Sequence, residues 1–315
     1  MEICDIHHHL GSLTGGSLQE GEGWMDRDYA SRIAMMDENH IDFVAILAAT
    51  GYIQADGIKA TMRSNDVVAE YRKKDPKRFP IAAGIVEPLH GTASLGELER
   101  MKHELRLDAV VWHHRFQGVA IDHQLMRPII RKVSELGLVP FVHANAESKV
   151  EAAWRLERLA KEFPEVTFIG MDALLGNANS QMVLEIAKRT PNIIWDNSHA
   201  VSSSFLRRFV EEAGSEKLIL GSTYYSTPPS YRKNHALEIG VREHLQIVAH
   251  RADAELLGER LALFLRPGAG RDDFQFLRAL GRAREHPGPA SQADDSEIDG
   301  ILIHGLSTRW SCWRP

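Results

Sequence analysis

The segment with the most evident chemistry lies near the start of the chain and reads Asp5-Ile6-His7-His8-His9. Side chains alternate across a β-strand, so Asp5, His7 and His9 are predicted to share one face and His8 the other. Two imidazoles on an inward face can hold one cation, with a carboxylate behind them that orients the rings. The alternative is a polar histidine-rich loop. The apolar start of the run favours a strand that ends in ligands.

A further imidazole ends another apolar run, Val139-Pro140-Phe141-Val142-His143. In a strand, His143 shares a face with Val139 and Phe141, so its ring would be presented at the tip of an inward-facing apolar strand. A single histidine at such a place is more often a core residue. Together with His7 and His9, it is predicted to be a third ligand.

The elements that must position these residues alternate regularly. Apolar runs typical of strands alternate with amphipathic segments of helical periodicity, and the eight predicted strands cover residues 2–9, 42–48, 79–86, 108–114, 138–143, 166–172, 192–197 and 217–222. Strands separated by helices pair in parallel with right-handed crossovers. Eight such units favour an α/β fold closed into a (β/α)₈ TIM barrel, in which residues at the carboxyl ends of the strands converge. The alternative is an open doubly wound sheet, but no Gly-x-Gly-x-x-Gly turn follows the first strand.

The end of the chain has a different composition. Residues 234–249 and 252–264 are predicted to form two closing helices, which places the barrel at residues 1–265. Residues 266–315 contain glycine- and proline-rich stretches and an acidic run, so we predict a partly irregular C-terminal extension. The apolar residues 301–313 could dock on the barrel or on a second subunit, which would allow a homodimer.

Charge and composition exclude several classes of partner. The formal net charge is −6 with both signs mixed along the chain, which argues against a nucleic-acid footprint. No polybasic block or long apolar stretch indicates a membrane. The two cysteines, Cys4 and Cys312, lie at opposite ends and fit a reducing compartment. We therefore expect a cytoplasmic protein with a small-molecule partner.

Four segments together resemble the amidohydrolase superfamily. They are Asp5-x-His7-x-His9 on the first strand, Trp112-His113-His114-Arg115-Phe116-Gln117-Gly118 after the fourth, Val142-His143 on the fifth and Gly221-Ser222 on the eighth. The resemblance covers residues 1–265 and points to the branch that contains lactonases, amide and ester hydrolases and nonoxidative decarboxylases. It implies a divalent metal ion, commonly zinc, bound by His7, His9 and His143.

Two positions depart from the family pattern. Asp172 stands where the family usually has a histidine at the end of the sixth strand, and Thr223 follows Gly221-Ser222 where the family usually has an aspartate. Threonine cannot act as a general base near neutral pH. Asp172 could replace the missing carboxylate as ligand or base, or it could simply cap a helix. Otherwise the metal remains without that base, or the metal site is degenerate.

The remaining candidate residues follow predicted strands. By alignment to the family, His114 is predicted to contact the substrate, with His113 pointing outward. Arg115 could clamp a carboxylate, and Asn197 could orient a substrate carbonyl. Trp24, Tyr52, Tyr224 and Tyr225 could line a pocket for an aromatic or planar substrate, although aromatic residues more often serve packing.

These expectations favour a metal-dependent hydrolase of a C–N or cyclic ester (lactone) bond in a small organic molecule. The second hypothesis is a nonoxidative decarboxylase on the same scaffold, which a pocket rich in aromatic side chains would favour. The third is a repurposed, metal-poor barrel that binds a small molecule without hydrolysis, and Thr223 is its main support.

Overall fold

A computed structural model describes residues 3–12, 22–49, 55–145, 148–200 and 202–227. In this part of the chain one sheet contains parallel strands in the order β8-β7-β6-β5-β4-β3-β2-β1-β9. The strands are β1 (Cys4–Ser12), β2 (Phe43–Ala48), β3 (Ile81–Ile85), β4 (Ala109–Trp112), β5 (Val139–His143), β6 (Phe168–Met171), β7 (Ile193–Asp196), β8 (Leu218–Ile219) and β9 (Tyr224–Thr227).

The last two strands are the two halves of an interrupted eighth barrel strand. β8 pairs with β7, and the next residue, Leu220, accepts a backbone hydrogen bond of 3.0 Å from Ile6 of β1. After the irregular residues 220–223, β9 also runs parallel to β1, with His8 opposite Tyr224. The sheet therefore closes on its first strand, and the predicted TIM barrel is confirmed.

Helices follow the strands and cover the outside of the sheet. They are α1 (Trp24–Glu38), α2 (Ile58–Arg72), α3 (Thr92–His103), the single turn α4 (His114–Gln117), α5 (Met126–Leu136), α6 (Ala153–Glu162), α7 (Asn177–Arg189) and α8 (Ser203–Ala213). Gly137 follows α5 with a left-handed φ of 61°, which glycine adopts readily at the end of a helix.

The barrel forms because its strands can be buried on both faces. β2 reads Phe-Val-Ala-Ile-Leu-Ala and β4 reads Ala-Val-Val-Trp, continuous apolar runs typical of parallel sheets covered by helices. On α5 the buried residues Met126, Ile129, Ile130 and Val133 follow the i, i+3, i+4, i+7 spacing of one helix face.

Two glycines show which strand positions face the helices. A Cβ on Gly84 of β3 would lie 2.7 Å from Asn65 and Met101, which belong to α2 and α3. A Cβ on Gly170 of β6 would lie 2.5 Å from the Trp195 ring and 3.2 Å from Leu156 of α6. These positions therefore face outward, and the cross-strand register extends the assignment to the residues paired with them.

The predicted closing helices, the extension and the boundary at residue 265 fall outside the described residues, as does Tyr52. Within the described part of the chain, no helix combines the length and apolar character required to traverse a bilayer.

Candidate metal centre

Three buried imidazoles converge at the carboxyl ends of β1 and β5. The Nε2 atoms of His7 and His9 are 2.9 Å apart, and those of His9 and His143 are 3.2 Å apart. None of the three residues is more than 1% exposed. The structure therefore brings together the three residues that the sequence singled out as ligands.

The other ring nitrogen of each histidine already has a partner. Nδ1 of His143 donates to the carbonyl oxygen of Trp112 at 2.8 Å, and Nδ1 of His9 lies 3.4 Å from the carbonyl oxygen of Ala48. Nδ1 of His7 pairs with Oδ2 of Asp196 at 2.6 Å. Since a carbonyl oxygen only accepts, His9 and His143 carry their proton on Nδ1 and direct the lone pair of Nε2 toward the cluster.

The spacing of these lone pairs suits a divalent ion. Nitrogen ligands at about 2.0–2.1 Å from an ion, separated by tetrahedral to octahedral angles, lie about 2.9–3.4 Å apart. Burial lowers the pKa of His143 to about 3, and burial with the neighbouring His7 holds the pKa of His9 well below its usual range. Both rings are therefore neutral near pH 7, as metal ligation requires.

Asp196 orients the first ligand, His7, from the end of β7. It ends β7, is fully buried, and its Oδ1 accepts hydrogen bonds from the backbone N–H of Asp172 at 3.1 Å and from Ser198 Oγ at 2.6 Å. A Cβ on Gly221 would lie 2.7 Å from Asp196 Oδ2, so only glycine leaves room for this carboxylate. Burial alone would lower the pKa of His7, but Asp172 and Asp196 raise it.

The sequence prediction missed Asp196 and selected Asn197 instead. Trp195 pairs with the outward-facing Gly170, so the face that Trp195 shares with Asn197 is the helix side, and Asp196 points inward. Asn197 Oδ1 accepts the backbone N–H of Gly221 at 2.9 Å and joins β7 to the end of β8. The available signal was Trp195. A large residue of this kind is suited to the helix-facing side of a strand, and the next residue, Asp196, would then face inward.

Asp172 lies beside the three imidazoles. Its Oδ2 is 3.8 Å from His143 Nε2, and its Oδ1 is 3.9 Å from His7 Nδ1 and 3.4 Å from His199 Nε2. Although burial opposes ionisation, these imidazoles hold the pKa of the carboxyl well below its usual range. The group is therefore an anion near neutral pH.

Asp172 does not reach the cluster by simple strand alternation. Alternation would place its side chain on one face with Gly170, which faces outward. A left-handed φ of 56° at Asp172 turns the chain after β6 and redirects its side chain. The helix-cap alternative is wrong, because α7 begins at Asn177 with Gly176 as its N-cap.

The structure reverses the predicted orientations of the two adjacent histidines after β4. His113 stacks on His143, with ring centroids 4.1 Å apart and an interplanar angle of 9°. His113 lies inward because Trp112 pairs with Val142, which pairs with the outward Gly170. His114 is fully buried in α4, where its Nδ1 donates to the carbonyl oxygen of Val119 at 2.8 Å.

Asp5 does not orient the ligands as predicted. The register of β1 against β2 shifts between Asp5 and His8, so both residues fall opposite outward positions of β2. Asp5 Oδ2 pairs with His8 Nε2 at 3.0 Å, and Asp5 Oδ1 accepts the backbone N–H groups of His7 and Ser222, each at 3.0 Å. Asp5 therefore ties β1 to the interruption of the eighth strand.

Among the predicted aromatic residues, Tyr225 contacts the imidazole cluster and Tyr224 packs away from it. Tyr224 packs toward α1, with its hydroxyl 3.3 Å from Ser31 Oγ and the guanidinium of Arg32 over its ring. Its neighbour Tyr225 is the one that stacks on His9, with ring centroids 4.6 Å apart. Trp24 begins α1 and is partly buried against the core.

Arg115 is the predicted substrate residue that does lie beside this cluster. One of its terminal nitrogens is 3.4 Å from His113 Nε2, and its side chain is 30% exposed. A cationic group is thus open to solvent next to the imidazoles, as recognition of a carboxylate requires.

Three overlapping groups of described residues have the ligand types for a metal ion, each with its ligand atoms within 4.8 Å: His7/His9/His143, His113/His143/Asp172 and His7/Asp172/Asp196. His143 has only Nε2 to offer, because Nδ1 is bonded to Trp112. The first two groups therefore cannot each hold a separate ion.

Comparison with known proteins identifies the family of the chain. A sequence model described as amidohydrolase matches residues 4–285, and the chain belongs to this family. It is accordingly an amidohydrolase-family enzyme. None of the curated proteins searched matches the chain.

Solved structures share the fold at low identity. The chain is similar to 4-oxalomesaconate hydratase from Rhodopseudomonas palustris (TM-score 0.58, 16% identity, 89% of this chain and 98% of that chain). It is also similar to 5-carboxyvanillate decarboxylase from Sphingomonas paucimobilis (0.57, 16%, 81% and 94%). A third is a dihydroxybenzoic acid decarboxylase from Polaromonas sp. JS666 with bound manganese and the inhibitor 2-nitroresorcinol (0.53, 14%, 79% and 97%).

Proposed function

We propose that this protein is a metal-dependent enzyme in which His7, His9 and His143 hold one divalent ion. The observation that carries the proposal is the convergence of three Nε2 atoms whose Nδ1 partners leave their lone pairs directed at one point. A divalent ion supplies Lewis acidity and lowers the pKa of water. The imidazole donors suit zinc, while the manganese-containing neighbour makes manganese the competing candidate.

For the reaction, we propose hydrolysis of a C–N or cyclic ester bond in a small molecule. Asp172 supports this choice, because its carboxylate lies within 4 Å of both His7 and His143 and is anionic. From that position it would accept a proton from water entering the site, the role for which Thr223 has no suitable group. His199, 3.4 Å from Asp172, would steady the carboxylate.

Nonoxidative decarboxylation is the second candidate and is supported by different observations. Two of the three similar structures above bear the name of a decarboxylase, and all three names refer to a carboxylic acid or its anion. In this chain Arg115 would bind the substrate carboxylate, and the stacked His113 and His143 rings would provide a flat wall for a planar substrate.

The experiment uses tag-free protein loaded with zinc or manganese. Lactones and amides are assayed for hydrolysis, and hydroxybenzoates for release of carbon dioxide, before and after chelation. We expect turnover that chelation abolishes and the ion restores, with kcat lowered about 100-fold or more in Asp172→Asn, the range for loss of a general base. Metal-independent turnover would refute the metal role. Ligand binding without any turnover would support the third hypothesis of a non-catalytic barrel.

The two reactions make different demands on the same variant. Hydrolysis needs the Asp172 carboxylate as a proton acceptor, so Asp172→Asn should abolish lactone or amide cleavage. If the wild type releases carbon dioxide but cleaves neither lactones nor amides, decarboxylation replaces hydrolysis as the proposed reaction. The proposal for the metal centre is not affected by that result.

A further inference from the structure

Glu151, a buried residue outside the imidazole cluster, contacts two residues that lie beside that cluster. Glu151 lies in the turn before α6, at the carboxyl side of β5, and is fully buried. Its Oε1 is 2.7 Å from His113 Nδ1 and accepts the backbone N–H of Arg115 at 2.9 Å. Its Oε2 is 3.7 Å from Nε of Arg115. One side chain from the segment between β5 and α6 thus contacts both His113 and Arg115, which follow β4.

These contacts fix the tautomer of His113. Oε1 accepts the backbone N–H of Arg115 and Oε2 faces the Nε–H group of the same residue, so in the ionised form of Glu151 both oxygens can only accept. His113 must then donate from Nδ1, which leaves Nε2 as an acceptor. That atom lies 3.4 Å from a terminal nitrogen of Arg115. An acceptor and a cationic donor are therefore held side by side.

The pair is next to the candidate metal centre. His113 stacks on His143, and His113, His143 and Asp172 have ligand-type atoms within 4.8 Å of one another. Arg115 stacks on Phe116, with the guanidinium 4.8 Å from the ring centroid, and remains 30% exposed. Both groups therefore lie beside the candidate metal centre.

A purely structural role accounts poorly for a charged residue at this position. Burying a carboxyl group costs free energy that its hydrogen bonds only partly offset, and burial raises the pKa of Glu151 to about 8. An apolar side chain would fill the space at lower cost, but it would leave His113 and the backbone N–H of Arg115 without their acceptor.

We propose that Glu151 is a positioning residue that holds His113 and Arg115 as one recognition pair, for a substrate with an anionic group beside a hydrogen-bond donor. Arg115 takes the anion, and Nε2 of His113 accepts from the donor. The proposal rests on the proposed function, since it identifies which class of substrate the metal site receives. It does not depend on whether that substrate is hydrolysed or decarboxylated.

The first test needs no ligand. Nitrogen-15 spectra of histidine side chains in the zinc-loaded and metal-free protein report the His113 tautomer. We expect a single neutral tautomer protonated on Nδ1 in the wild type, retained in Glu151→Gln, whose amide oxygen still accepts. In Glu151→Ala that single tautomer should be lost. A wild-type His113 protonated on Nε2, or an unchanged tautomer in Glu151→Ala, would overturn the proposal.

The second test measures recognition with 2,6-dihydroxybenzoate as probe, a carboxylate flanked by hydroxyl donors, and resorcinol as the probe without the anion. We expect the metal-loaded wild type to bind the first more tightly than the second. Glu151→Ala should raise the Kd of 2,6-dihydroxybenzoate at least about tenfold, a loss typical of outer-shell partners, and Glu151→Gln should raise it less.

The matched control is Glu162→Gln, which removes an exposed carboxylate of α6 that pairs with Arg127. This variant should bind as the wild type does. Equal affinity of the wild type and Glu151→Ala, or no binding of the carboxylate probe to the metal-loaded wild type, would refute the recognition pair. Absence of bound metal would instead refute the proposed function, while the tautomer measurement would still decide the role of Glu151.

Discussion

The substitution Asp196→Asn tests the orientation of the first candidate ligand with almost no change in side-chain volume. The two carboxylate oxygens of Asp196 have different partners: Oδ2 accepts from His7 Nδ1 at 2.6 Å, and Oδ1 accepts from the backbone N–H of Asp172 at 3.1 Å. An amide has one oxygen and one NH₂ group. Whichever way the asparagine is turned, a donor faces a donor on one side, and one of these hydrogen bonds is lost.

The expected loss of metal affinity follows from the role of the Asp196 carboxylate, which orients the candidate ligand His7. Outer-shell partners of metal-bound histidines typically contribute 10- to 100-fold in affinity, which corresponds to about 1.4–2.7 kcal/mol. We expect the metal dissociation constant of Asp196→Asn to rise by about that factor. The rise should be toward the upper end, because the site is buried and Gly221 leaves no room for the side chain to move.

The assay is a competition titration of zinc or manganese against a chromophoric chelator, with urea unfolding as a check of stability. The matched control is Asp108→Asn. Asp108 accepts from the backbone N–H of Ala82 and pairs with Arg72 at the start of β4, at the other end of the barrel strands. It should cost stability but leave metal affinity unchanged. Wild-type affinity in Asp196→Asn, or an equal loss in both variants, would refute the reasoning.

Three further predictions concern the barrel mouth. Gly221→Ala should destabilise the fold by about 1–3 kcal/mol, the usual cost of overpacking, because the new Cβ would lie 2.7 Å from Asp196 Oδ2; urea unfolding without that loss would contradict it. Thr223→Asp should fold, because aspartate tolerates the φ of 51° better than a β-branched residue, and should tighten metal binding roughly tenfold, about 1.4 kcal/mol; an unchanged titration would show that residue 223 does not reach the ion. Burial raises the pKa of Glu87 from 4.5 to about 7, so the folded state holds a proton that the unfolded state releases, and wild-type stability falls as pH rises through that window. Glu87→Gln should therefore gain stability over the wild type between pH 4.5 and about 7, by at most about 1.4 kcal/mol per pH unit; parallel pH profiles would refute this.

The barrel and its three imidazoles were predictable because they depend on local patterns. Apolar runs alternate with amphipathic segments along the chain, and a histidine that ends an inward-facing strand is delivered to the mouth by the fold itself. His143 illustrates this, since it follows the period of two from Val139 and Phe141 of β5.

The placement of Asp172, Asp5 and His113 depends on information that local sequence patterns do not contain. Asp172 reaches the cluster through a left-handed residue, and Asp5 leaves it because β1 shifts register against β2. The inward orientation of His113 follows from Trp112, whose pairing with Val142 spans two strands. Such register depends on which residues face each other across the barrel, and one sequence read along its length does not show it.

The most direct test of the metal centre is a crystal structure of the zinc- or manganese-loaded protein with anomalous scattering measured at the metal edge. A single peak about 2.0–2.3 Å from Nε2 of His7, His9 and His143 is the result we predict. A peak elsewhere, for example between His113 and Asp172, or no peak at saturating metal, would contradict the assignment of these three imidazoles as the ligands.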